Sequence, residues 1–157
     1  MRAPALVLLA ALGATGAALA APVNVVEVSD GRAALLRPLD DGEPYTYTYI
    51  QSVYNVVVVE EQARAGDMLR IDRARSTDIK ALEYFRWPDA IREDGGGFVQ
   101  AAPFWEAPQL RIRITAPNGQ TLRTARWSLD LPARFGETVV TVRPLSVPWA
   151  VALLRSR

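Results

Sequence analysis

Two carboxylates stand side by side at Glu60 and Glu61, in the segment that follows Gln51 and Ser52. Paired carboxylates do general acid–base chemistry only when both reach one substrate. Neighbours in a strand point to opposite faces, so Glu60 and Glu61 cannot act together on one face. The plainer reading is a strand running out into solvent, with one carboxylate left to fix a loop or meet a partner's cation. Ser52 would need a base within hydrogen-bond reach to become a nucleophile. The chain has no histidine and no cysteine, and Lys80 is its only lysine. A Ser52–Lys80 pair is conceivable but nothing in the spacing supports it. Imidazole and thiolate metal ligands are excluded outright.

Other residues of chemical interest have simpler explanations beside the functional ones. Asp40, Asp41 and Glu43 offer oxygens of the kind Ca²⁺ takes, but their spacing matches no EF-hand loop, and such residues ordinarily make turns. Arg111, Arg113 and Arg126 suit an anionic headgroup or an acidic partner, or else form the wet face of a hairpin. Tyr45, Tyr47 and Tyr49 recur at strand spacing and could line a ligand groove, although aromatic stripes of this kind more often pack as core. Trp105, between Pro103 and Pro108, fits an exposed recognition loop or a loop packed over the core. No cofactor motif and no metal-ligand spacing is present, so no cofactor is expected.

The elements that must position these residues read as strands. Residues 23–28 and 33–37 are short strand candidates separated by Ser29-Asp30-Gly31. Residues 45–53 alternate cleanly, with Tyr45, Tyr47, Tyr49 and Gln51 on one face and Thr46, Thr48, Ile50 and Ser52 on the other. Residues 56–64 open with four valines, which predicts cover on both faces there. The turn Ala65-Gly66-Asp67 returns the chain through residues 68–75 as a hairpin. Residues 78–84 fit either a helical turn or a strand. Residues 87–95 fit a two-turn helix, begun by Pro88 and stopped by Gly95, with a flexible glycine loop after it. Leu110, Ile112 and Ile114 predict one arm of a hairpin whose other arm sets Trp127 opposite Leu110 and Arg126 opposite Arg111. Residues 137–144 read as a further strand and 148–154 as a last edge strand. Eight or nine short strands with regular turns predict an all-β fold, a small antiparallel sandwich or partly open barrel.

The first twenty residues have the form of a cleavable signal peptide. Arg2 supplies positive charge, residues 5–20 are uncharged, and Ala18-Leu19-Ala20 is a small-x-small cleavage site. The apolar core is short of the roughly 20 residues a membrane span needs. Residues 21–157 are then a single domain, exported or periplasmic. Loss of Arg2 leaves basic and acidic side chains equal in number, so charge gives no drive toward nucleic acid. With no cysteine, the domain must hold together without disulfides.

The segment Tyr49-Ile50-Gln51-Ser52-Val53, followed by Glu60-Glu61, resembles a family of short exported bacterial proteins of uncharacterised activity. These are encoded beside, or fused to, TAXI-type TRAP solute transporters. The family has His-Ser-Val where this chain has Gln51-Ser52-Val53, and an acidic pair in the next strand. Its Gly-Ala-Gly box is replaced here by residues 79–87. The resemblance implies a non-enzymatic periplasmic accessory protein of a TRAP-type uptake system. Its partner would be the transporter's membrane subunit or solute receptor, met through Gln51, Ser52, Glu60 and Glu61. The alternative is an independent periplasmic binding module for a small ligand or a cell-envelope surface, with the tyrosine stripe as its groove.

Overall fold

The computed structural model describes residues 20–115 and 118–154. The expected leader therefore lies, except for Ala20, outside the described residues. Tyrosine and threonine alternate along β3 (Pro44–Gln51), and this sorting by pleat builds the middle of the larger of two sheets. β3 pairs with β4 (Val56–Ala65), which turns into β5 (Met68–Ser76). The expected hairpin through Ala65-Gly66-Asp67 is present. It contains a bulge near Glu61 and Gln62, where the register skips Asp72 of β5.

The larger sheet is completed by β6 (Arg92–Asp94), β7 (Gly97–Ala101), β8 (Glu106–Ala107), β10 (Thr121–Arg123) and β11 (Ser128–Asp130). Its order is β11-β10-β3-β4-β5-β7-β6, with β8 beside β5. The smaller sheet contains β1 (Pro22–Ser29), β2 (Ala34–Pro38), β9 (Leu110–Arg113) and β12 (Val139–Pro148), in the order β2-β1-β12-β9. The fold is thus an all-β sandwich of two antiparallel sheets. Its described residues hold twelve strands against the expected eight or nine, the unforeseen ones being the short β6, β8 and β11 and the five-residue β7.

Val26, Val28 and Leu35 of the smaller sheet meet Tyr47, Leu122 and Leu129 of the larger across a shared core. Val28 and Leu122 are fully buried, and each such side chain contributes about 1.5–3 kcal/mol. Four strands cannot cover the larger sheet. The remainder of its inner face is closed by α1 (Ile79–Glu83), through the fully buried Ala81 and Leu82. Asp78 caps this helix by accepting from the Lys80 amide. Of the two readings open for residues 78–84, the helical turn is the one formed.

Several expectations are corrected. β9 and β10 do not form a hairpin. Leu110 and Ile112 pair with Val142 and Val140 in the smaller sheet, while β10 pairs with β3 and β11 in the larger. The chain changes sheets between them, because Val140 and Val142 offer β9 an apolar edge as good as that of residues 121–129. No helix forms over residues 87–95. The side chain of Gln100 donates to the Trp87 and Asp89 carbonyls instead, tying a bent segment to β7 before β6 begins at Arg92. The glycines beyond it make a tight β6–β7 turn, Gly95 and Gly96 having φ of 59 and 88°. Residues 149–154 are a helix, α3 (Trp149–Leu154), rather than an edge strand. α2 (Leu131–Phe135) is a short helix between β11 and β12. Nor are both faces of the valine run covered, since Val57 is 48% exposed.

Candidate functional site

The inner face of β3–β4 is polar where a sandwich core is usually apolar. Tyr47 stands opposite Glu60, and Tyr45 opposite Gln62. Glu60 is buried, and its carboxylate accepts from the Tyr49 hydroxyl at 3.0 Å and from Gln62 Nε2 at 2.9 Å. Burial raises its pKa above the usual 4.5, and the two hydrogen bonds work against that rise. Tyr47 stacks on Tyr49 at 4.8 Å between ring centres, and its hydroxyl accepts from Gln120 Nε2. Desolvation pushes Tyr47 up to about 12 and raises Tyr45 and Tyr49 further, with the charge of Glu60 adding to it in all three. The three tyrosines therefore do not face one open groove together, and Tyr49 alone is half-buried rather than buried. Tyr45 and Tyr47 are buried in the core, and the Tyr49 hydroxyl is taken by Glu60.

Glu61 faces the other way, as adjacency in a strand requires. It lies on the outer surface between Arg73 and Arg75, at 2.6 Å from each. Arg75 also pairs with Asp94. The two glutamates thus do separate work, one sealed inside and one in an exposed ion-pair ladder.

Gln51 is buried at the end of β3, and its Nε2 donates to the Ala81 carbonyl of α1. Beyond it the chain turns through Ser52, Val53 and Tyr54, all exposed. Asn55 closes the turn with φ of 54°, its amide donating to the Gln51 carbonyl. Ile79 and Tyr84, on the segment that Gln51 holds, are also exposed. The structure therefore gathers Gln51, Ser52 and α1 at one end of the sandwich and leaves Glu60 and Glu61 along the strand. Ser52 and Lys80 are both exposed, and no hydrogen bond joins them among the described residues.

The arginine set is divided. Arg111 and Arg113 lie exposed on the outer face of the smaller sheet. Arg126 sits in the β10–β11 turn and pairs with Glu43 and Asp40. The acidic loop is thereby occupied from within. Asp41 accepts from the Gly66 amide, and Glu43 accepts from the Asp40 amide. Phe104 is 88% exposed, whereas Trp105 beside it is half-buried.

Arg64 is the residue that sequence reasoning passed over. Its side chain is 2% exposed, yet its guanidinium donates to the Gly66, Val25 and Leu145 carbonyls. The signal was its parity, because Glu60, Gln62 and Arg64 share the inward face of β4 with Val58.

With this geometry in hand, comparison with known protein families, curated proteins and solved structures gives no match.

Proposed function

We propose that this protein is an exported, non-catalytic accessory of a TRAP-type solute uptake system. It docks on the membrane subunit or the solute receptor through the β3–β4 end of the sandwich. The observation that carries the reading is where the Gln51-Ser52-Val53 motif falls. It forms an exposed tip with Ser52, Val53 and Tyr54 outward, backed by a glutamine buried against α1. An apolar tip flanked by Ile79 and Tyr84 suits a protein contact. Within the site, Ser52 and its neighbours touch the partner, Gln51 and Glu60 hold the hairpin from inside, and Glu61 extends the surface outward.

The test is affinity purification of a tagged chain from its own host after mild crosslinking, with partners identified by mass spectrometry. A TRAP membrane subunit or receptor is expected in the parent sample and is lost with Val53→Asp and Tyr54→Asp. Recovery of the protein alone, from a host that expresses such a transporter, would refute the reading.

A further inference from the structure

Two features unused by the proposed function share the outer face of the smaller sheet, one at each end of β12. The first is basic. Arg111 stands opposite Thr141, which stands opposite Ser29; Arg113 is two residues along the same strand face. Arg111, with Gln109 and Arg143, borders a hollow of about 380 Å³. The acidic groups there are already engaged. Glu27 accepts from Arg143 at 2.8 Å, and Asp30 accepts from the amides of Arg32 and Ala33. Arg111 and Arg113 make no salt bridge with a described residue, and together with Arg143 they outnumber Glu27 and the ionised Asp30 by one charge.

The second feature is apolar. α3 lies over the β1–β2 end of the same face, where Val25 and Leu36 are buried and, with Pro38 and the Asp40–Arg126 ion pair, meet Trp149 and Leu153 around a small hollow. All six of its residues are apolar and none is buried. Trp149 is 43% exposed, Leu153 49% and Leu154 82%. A helix on a water-facing surface ordinarily shows a polar side; this one has none. Val139, opposite Arg113, adds a further exposed apolar side chain.

We propose that this face, α3 together with Arg111 and Arg113, docks on an anionic phospholipid bilayer. Tryptophan and leucine enter the headgroup–acyl boundary at one end of the face while the arginines meet phosphates at the other. The inference does not rest on the transporter reading. The β3–β4 tip belongs to the other sheet, and its loss leaves this face intact.

The experiment is flotation of the full chain with vesicles of phosphatidylcholine alone and with vesicles containing phosphatidylglycerol, at low and high salt. The chain is expected to float with the anionic vesicles at low salt. Each arginine near such a surface is worth about five-fold in partition, so the double variant Arg111→Gln, Arg113→Gln should lose roughly 30-fold. Arg111→Lys with Arg113→Lys should retain binding, and Trp149→Ser with Leu154→Ser should weaken it. Residues 1–20 are common to every variant and cannot produce these differences. Equal partition into neutral and anionic vesicles, or indifference to the double Gln variant, would overturn the proposal. So would release by free glycerophosphate, which would mark a site for a small soluble anion. Absence of flotation, with self-association abolished by Trp149→Ser, would overturn it in favour of a second copy on this face.

Discussion

Arg64 Nη1 donates to the carbonyl of Leu145 at 2.9 Å, joining β4 of the larger sheet to β12 of the smaller. The same nitrogen reaches the Val25 carbonyl at 3.1 Å, and Nη2 reaches Ser146 Oγ at 3.3 Å. The nearest carboxylate, Asp67, is 4.0 Å away and 93% exposed, so this buried charge is held chiefly by carbonyl dipoles. Arg64→Met strands those carbonyls and should lower the unfolding free energy by roughly 2–5 kcal/mol. Arg64→Lys should fall between it and the parent. An unchanged midpoint in urea denaturation would show that the two sheets do not depend on this bridge.

Glu60 should make stability fall as pH rises. Its folded pKa is raised above 4.5, so the folded state holds the proton more tightly than the unfolded chain. Stability from this group is fully present below the unfolded value and is lost as pH climbs through the folded one. Glu60→Gln removes the buried charge, and its new amide can donate to Gln62 Oε1, which has no partner now. The variant should be more stable than the parent at neutral pH, with the gain vanishing in acid. Urea titrations of both proteins across pH measure this. A difference that does not change with pH would rule it out.

Tyrosine ionisation offers an optical check on the same core. Tyr45, Tyr47 and Tyr49 are all raised, first by burial and then, in part, by Glu60. Phenolate absorbance at pH ~11 should therefore be smaller in the folded protein than in denaturant, by close to three tyrosine equivalents. Equal absorbance in the two states would mean the row is open to water.

Gly97 should tolerate no side chain. A Cβ placed there would lie 2.9 Å from the Ser76 carbonyl oxygen, within the β5–β7 pairing. Gly97→Ala should cost about 1–3 kcal/mol, the usual penalty of overpacking. It should also loosen the hold of Gln100 on the Trp87 and Asp89 carbonyls, visible as faster amide exchange in β7.

The legible parts of the fold were those where one strand decides its own fate. The alternation of Tyr45, Tyr47 and Tyr49 against Thr46 and Thr48 told which face was which, and the Gly66 turn told where β4 returns. Pairing choice was not legible where two edges were equally apolar. Leu110 and Ile112 identify a buried face but cannot say whether Val140 or Ala125 lies beyond it. Pro88 and Gly95 satisfied local rules for a helix, and a distant side chain, Gln100, overrode them. At the candidate site, the opposite orientations of Glu60 and Glu61 followed from strand geometry alone. What could not be foreseen was that Tyr49, read as one of three groove residues, would be the group that seals Glu60.

The pairing of Pro22 with Pro148 sets the timing of assembly. β1 has β2 and β12 as its neighbours, so the smaller sheet cannot close until the ribosome has delivered residues 139–148. Residues 44–76 can pair locally long before that. Such long-range closure places the domain among slow folders. A chain still being made would carry the β3–β5 meander with Tyr45 and Tyr47 uncovered. That half-sandwich stays open until β12 arrives, and closure of the smaller sheet is the step that shuts the core.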